Sequence, residues 1–325
     1  MLQFANTVAL YRRSAPQKGM ALFIVLWVLA ILMVTVLSFS FLTRTETHAT
    51  LVFKENAARK FLAEAGIQRA ILEIYYRRQN VNNAVTPEGF QPWKADGTAY
   101  SDRVGDGSYK VRIMGEDGKL DINKSSGVLL KNLFLNSGLK DDEADTIVDS
   151  LMDWKDPSGL TSLHGAGSDY YKSLPIPYEV KGAPFDTVEE LLLIKGVTPF
   201  IMYGDVDRKG IVDFLTVNSD NGLINLNYAP REVIMSIPGM TADMADAIMQ
   251  YRQAQNIMNV QEVLSANYQA VQPYITLSEG TVYTIEATGL LGEEKTGYPV
   301  VATVIIDSNN KYRYLYYKSP AYKVQ

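Results

Sequence analysis

The sequence contains no cysteine. Disulfides and thiolate zinc sites are therefore excluded. Histidine is nearly as scarce: His48 and His164 are the only two in 325 residues. That excludes a multi-histidine metal centre and leaves little for a Ser-His-Asp arrangement. A phosphate-binding glycine loop, a nucleophile elbow and a paired-histidine zinc motif are all missing, so the expectation is a protein that is not an enzyme. Basic charge is short overall. The 31 Lys and Arg face 36 Asp and Glu, for a net charge of −5, which disfavours a nucleic-acid partner. Acid is absent from residues 1–19, which carry Arg12, Arg13 and Lys18, and charge of either sign is absent from Met20 to Leu42. What remains is 47% hydrophobic and 21% charged, enough apolar material for about two domains with cores of their own.

The uncharged stretch MALFIVLWVLAILMVTVLSFSFL is 23 residues long. As a helix it spans the roughly 30 Å of a bilayer's hydrocarbon. Three basic residues precede it and Arg44 follows, so the positive-inside rule places the N-terminus in the cytoplasm and the bulk outside. A secretory signal peptide fits less well. The run exceeds the ~7–15 residues of an h-region and no A-x-A-like site follows it. Helix formers continue to about Gln79, without a break from Met20 to Gly66. Sixty residues would make a rod of about 90 Å. Ala58, Phe61, Leu62, Ala65, Leu72, Tyr75 and Tyr76 recur at helical spacing and form the expected packing stripe of its second half.

Asn80 to Gly107 is polar and turn-rich and is expected to be a loop. Ser108–Met114 alternates as a strand, Asp117-Gly118 suits a hairpin turn, and Lys119–Ile122 is the expected return strand. Val282–Leu290, Val300–Ile306 and Tyr312–Tyr317 are further strands. The last carries Tyr312, Tyr314, Tyr316 and Tyr317, either a platform for stacking bases or a tyrosine-rich edge strand, the commoner arrangement.

Residues 124–275 are expected to be helical and contain an internal repeat. Asn123 aligns with Asn227, Gly138-Leu139 with Gly239-Met240, and Ala144, Asp145 and Ile147 with Ala245, Asp246 and Ile248. A weaker third copy runs from Thr187 to Gly196-Val197. Each is a short helix, a glycine turn and a second helix, with Gly138, Gly196 and Gly239 at the turns. The unit resembles the helix-hairpin-helix, which holds DNA backbone through turn amides. A membrane-anchored DNA-binding protein resembling a competence DNA receptor is the alternative reading. Charge opposes it: from Gly222 to Gln255 only Arg231 and Arg252 stand against Glu232, Asp243 and Asp246.

Asp149, Asp153 and Asp156 form an acidic group, with Asp169 downstream. Oxygen ligands on a loop suit calcium, and a solvated acidic loop is the plainer alternative.

Two resemblances draw these features together. Lys18-Gly19-Met20, a glycine between a basic leader and an apolar helix, resembles the prepilin peptidase site of type IV pilins and type II secretion pseudopilins. That implies cleavage between Gly19 and Met20 and methylation of the new N-terminus. Most such subunits have glutamate at the fifth mature position, where this chain has Ile24. In the family's assembly scheme that carboxylate neutralises the amine of the subunit ahead. A subunit with nothing ahead has no use for a carboxylate in lipid.

Asp153-Trp154-Lys155-Asp156, Tyr170-Tyr171, Pro175-Ile176-Pro177-Tyr178, Ala183–Leu191, Lys195–Pro199 and Asn225-Leu226-Asn227 through Gly239 together resemble the K-type minor pseudopilins of type II secretion (GspK family), from Gly19 to about Tyr274. The resemblance implies an α+β fold in which a long N-terminal helix packs on an antiparallel sheet, with a large inserted helical domain. The domains would be a leader at 1–19, a helix at 20–80 (transmembrane over 20–42), a β head from 81–123 and 276–325, and the insert at 124–275. It implies a non-enzymatic subunit at the tip of the periplasmic pseudopilus that starts assembly and caps it, for export of folded proteins across the outer membrane. The implied setting is a single pass of the inner membrane, with the head periplasmic. Implied partners are the I- and J-type minor pseudopilins, the major pseudopilin, the prepilin peptidase and the inner-membrane assembly platform. It also implies calcium as a candidate ligand at Asp153, Asp156 and Asp169. Two positions that are often acidic in the family are Ser158 and Gly167 here.

Overall fold

A computed structural model describes residues 20–80, 92–205, 208–265, 268–293, 296–307, 309 and 311–321. The expected leader, Gly19 included, lies outside the described residues, as does most of the Asn80–Pro92 segment. The chain divides into two compact units, Met1–Ala57 and Ala58–Gln325.

The helix α1 runs Met20–Gln79. In the first unit its side chains are exposed, including Phe23, Trp27, Leu37 and Phe41. Thr35, Thr43, Thr45 and Thr47 return their hydroxyls to carbonyls three or four residues back, the usual way to satisfy a hydroxyl on an apolar helix.

In the second unit, the last turns of α1 pack on one face of an antiparallel sheet. Its strands are β1 (Asp96–Val104), β2 (Gly107–Gly115), β7 (Val282–Leu291), β8 (Tyr298–Ile306) and β9 (Tyr312–Lys318), in the order β1-β2-β7-β8-β9. Ala63, Ile67, Ala70, Ile71 and Ile74 meet Tyr109, Val111, Ile113, Tyr283, Ile285, Ala287, Ala302 and Val304. The expected stripe is met in part: Leu62 is buried and Ala65 and Tyr75 pack against this core, but Phe61 is 67% and Leu72 is 59% exposed. Small residues decide the phase. A Cβ on Gly66 would lie 3.0 Å from the Tyr109 ring, and one on Gly289 would collide with the Arg59 carbonyl. The helix thus approaches where side chains are smallest, and Gly66 is a contact position.

Two strand expectations are corrected. Asp96–Val104 is the edge strand β1, not loop. It begins with a bulge between Asp96 and Ala99, where the Asp-Gly pair suggested a turn. The segment after β2 does not return beside it. Glu116–Gly118 forms a 3-10 turn, and β3 (Leu120–Asp121) pairs in parallel with β4 (Leu215–Thr216) inside the inserted region.

That region has its own core and is built twice on one plan. The first copy runs from β3 through α2 (Gly127–Asn136), α3 (Asp141–Lys155), α4 (Ser168–Lys172) and α5 (Pro199–Tyr203) to β4. The second runs from β5 (Ile224–Asn225) through α6 (Arg231–Met235), α7 (Ala242–Ala254), α8 (Val260–Leu264) and α9 (Tyr268–Val271) to β6 (Ile275–Thr276), which pairs in parallel with β5. Asn123 takes the amide of Phe185 at 2.8 Å and donates to its carbonyl at 3.0 Å. Asn227 does the same to Ile257, at 2.8 and 3.1 Å. The cation of Lys155 caps the carbonyls of Ile122 and Asn123, and that of Arg252 those of Leu226 and Ala229.

The copies differ most in one connection. From Lys155 to the clamped Phe185 the first copy carries a long excursion, residues 156–184, including α4. From Arg252 to the clamped Ile257 the second has only a short link.

Both crossings between sheet and insert meet at Asp117. Its Oδ2 accepts from Asn225 Nδ2 at 2.8 Å and from the Gly280 amide at 3.1 Å, and Asn225 Nδ2 also donates to the Ser278 carbonyl. Burial pushes the Asp117 carboxyl up to about 6. Beside it, Arg77 at the end of α1 pairs with Glu279, which also accepts from Tyr283 Oη.

Candidate functional site

The residues predicted to act fall into three places. Met20 is the first residue of α1 and Ile24 lies a turn further on, 57% and 61% exposed. Gly19 is outside the described residues. By length and composition α1 can cross a membrane. Ile24 brings no charge into that segment, where an unpaired carboxylate would be costly.

The glycine turns are the second place. Gly138, Gly196 and Gly239 all adopt left-handed backbone, with φ of +88°, +89° and +81°, where a side chain would be strained. Each is followed by an apolar residue and then the N-cap of the next helix. Thr198 and Thr241 accept from Ile201 and Met244, and the Lys140 amide donates to the Glu143 carboxylate at 3.0 Å. The turn amides are already used: Leu139 donates to Phe134, Val197 to Ile194 and Met240 to Ile237. The first turn of α3 presents exposed Asp141, Asp142 and Glu143, which would repel a phosphate. These turns join helices, and the amides that follow their glycines are committed to the chain's own carbonyls.

The third place is the end of α3 and the excursion after it. Asp153 is 5% exposed. Its carboxylate accepts from the Ser162 amide (3.0 and 3.1 Å), Ser162 Oγ (2.7 Å) and the Ala166 amide (3.0 Å). Asp156 is bound by its own loop, through the Ser158 amide and hydroxyl at 2.9 and 2.7 Å, and these bonds hold its carboxyl below the usual carboxylate range. Asp169 lies exposed in the first turn of α4. Behind the loop Trp154 meets Tyr171 and Tyr178 edge to face, and those two rings are tilted against each other.

Asp153, Asp156 and Asp169 are not gathered around one point. Calcium takes ~6–8 oxygens, and among the described residues no three Asp, Glu, His or Cys converge. N–H and O–H donors meet Asp153 where a cation would have to sit. A Cβ at Gly165 would collide with Asp153 Oδ2, and one at Gly167 with Thr161 Oγ1. The packing thus leaves no place for a longer ligand at either position. The sequence pointed to Asp153 but not to its role. The glycines and serine around it, Gly165, Gly167 and Ser162, were the available signal for a loop closed by N–H donors.

Residues 78–203 match the family model described as Type II secretion system (T2SS), protein K. Over that stretch the chain is similar to type II secretion protein K. The match spans β1, β2 and the first copy of the insert through α5. Type II secretion system protein K of Pectobacterium carotovorum subsp. carotovorum is 26% identical over 257 residues, covering 73% of this chain and 75% of that protein. A chain in the crystal structure of the GspK-GspI-GspJ complex from the enterotoxigenic Escherichia coli type 2 secretion system has the same fold. It superposes with a TM-score of 0.60 at 12% identity, over 84% of this chain and 99% of that one. The K-domain resemblance read from the motifs and the expected fold, a long helix on an antiparallel sheet with a helical insert, are both borne out.

Proposed function

We propose that this chain is a minor pseudopilin at the tip of a type II secretion pseudopilus. In this reading it is anchored by residues 20–42 in the inner membrane, with its N-terminus cytoplasmic and its head periplasmic. The carrying observation is the joining, in one helix, of an exposed uncharged segment to a face that packs on a K-domain head.

The role is mechanical and not catalytic. Prepilin peptidase removes residues 1–19. Those carry three of the 31 basic residues, leaving 28 against 36 acids, a net −8. The exposed segment of α1 then packs against the corresponding helices of I- and J-type minor pseudopilins and of the major pseudopilin. A chain of a crystallised GspK-GspI-GspJ complex shares this fold, which supports that choice of partners. Ile24 fits a subunit with no neighbour ahead, and the duplicated insert supplies the bulk to cap the filament.

The test is co-purification from detergent-solubilised membranes with the I- and J-type subunits of the same cell. The expected result is a stable complex that depends on residues 20–57. Recovery of the chain alone, with both other subunits present and folded, would overturn the assembly role.

A further inference from the structure

The excursion 156–184 is the one part of the insert with no counterpart in the second copy, and something must hold it. Loops of this length ordinarily need packing, a metal or a disulfide to keep a single conformation. This chain has no cysteine. Its apolar contribution is partial, since Leu160, Leu163 and Ile176 are 75%, 90% and 82% exposed.

Tyr171 and Ala166 anchor it in the insert core, and between them and α3 the loop is held from two sides by charges of the chain itself. On one side the Asp153 carboxylate gathers the Ser162 and Ala166 amides and the Ser162 hydroxyl, while Asp149 takes the His164 amide at 3.1 Å. On the other, Lys195 Nζ reaches the carbonyl of Gly165 at 3.1 Å and that of His164 at 3.5 Å, and sits 5.2 Å above the Tyr170 ring. Amides bind the anion and carbonyls bind the cation, so one peptide segment is satisfied in both senses. A calcium ion bound by a loop also gathers carbonyl oxygens, and the lysine ammonium occupies that role here.

The device recurs. Lys94 caps Arg252 and Gln253, Lys124 caps Ser219 and Asp220, Lys155 caps Ile122 and Asn123, and Arg252 caps Leu226 and Ala229. Each is a side-chain cation bridging two backbone carbonyls at a chain crossing or loop end.

We propose that in this loop the Lys195 ammonium takes the place of a divalent cation on the backbone carbonyls, while the Asp153 carboxylate is committed to N–H and O–H donors, so that the head folds and is stable without calcium. The site takes no metal because the carbonyl oxygens already hold a cation and the carboxylate oxygens already hold donors.

The test compares the full chain in detergent micelles in excess EGTA and in millimolar calcium chloride, by thermal unfolding and calorimetry. A site filled at about 100 times its Kd would raise Tm by roughly 5–10 °C. The expected result is no shift and no binding heat. Two variants separate the roles. Asp153→Asn sets an amide donor against the Ser162 and Ala166 donors, and its loss of several degrees (roughly 3–6 °C) is expected to be the same in EGTA as in calcium. Lys195→Gln is expected to lower Tm less, to speed proteolysis at Leu160 or Leu163, and to gain nothing from calcium. The proposal is overturned by any of three results: a calcium-dependent Tm or heat in the parent chain, an Asp153→Asn loss that disappears in EGTA, or rescue of Lys195→Gln by calcium.

Discussion

The two parts of α1 follow opposite rules. From Met20 to Leu42 the helix is uncharged on every side and solvent-facing, and it has no glycine up to Ala57. Beyond it the helix is mixed in polarity, carries Gly66, and buries one narrow stripe against its own sheet. The first part is hydrophobic enough to be placed anywhere in lipid or against another helix. The second is specified to one place by Gly66, Gly289 and the small side chains of Ala63 and Ala70. A helix that must meet several neighbours needs apolar surface, and one that must meet a single neighbour needs shape.

The largest test of this contrast is a matched pair. Ile67→Asp puts an unpaired charge into a position 1% exposed, and should cost more than about 4 kcal/mol and unfold the head, seen as loss of the circular-dichroism melt. Leu37→Asp should leave that melt unchanged and cost about 3 kcal/mol in membrane insertion, seen by fractionation. Equal effects of both on the head melt would break the distinction.

Titration should separate the parts as well. The folded head raises the Asp117 carboxyl to about 6, above its ordinary 3.8. The native state therefore binds the extra proton between those values. Stability lost at neutral pH is regained as pH falls through about 6, and is fully restored near pH 4. Asp117→Asn should be more stable than the parent at pH 7.5, by an amount on the order of 3 kcal/mol. That advantage should vanish near pH 4, measured by urea unfolding across pH. An advantage that does not vary with pH would assign the effect to packing.

The two copies of the insert permit a smaller comparison. Asn123→Ala and Asn227→Ala each remove a side chain that holds one peptide by two hydrogen bonds. Each should cost about 2 kcal/mol by the same unfolding assay. A much larger loss for one would mean that the copies no longer share a plan. The smallest effect on the head is expected from Ile24→Glu. It should not move the melt, but it should lower recovery with the I- and J-type subunits.

Much of this was legible in the sequence, for identifiable reasons. The span of α1 followed from an uninterrupted run of helix formers. The glycine turns followed from the repeat, because only glycine suits left-handed backbone at Gly138, Gly196 and Gly239. The phase of the buried stripe was legible only in part. Phe61, Leu72 and Tyr75 put apolar residues on several faces, and the deciding fact, the close approach of the Gly289 strand, is tertiary. The strand β1 was hidden by Asp96, Gly97, Ser101 and Asp102, types depleted in strands but tolerated at an edge. The parallel pairing of Leu120–Asp121 with Leu215–Thr216 crosses most of an insert copy, and local pattern carries no trace of it. At the acidic loop Asp153 was legible and its partners were not, because the only trace of the donating amides was the small residues Ser162, Gly165 and Gly167.

The account rests on α1 entering a pseudopilus through a processed N-terminus. The most direct measurement is intact mass and N-terminal sequence of the chain taken from membranes, with and without prepilin peptidase. The account predicts a methylated N-terminus at Met20 that depends on that enzyme. An N-terminus that is the same in both samples, with residues 1–19 retained, would contradict it.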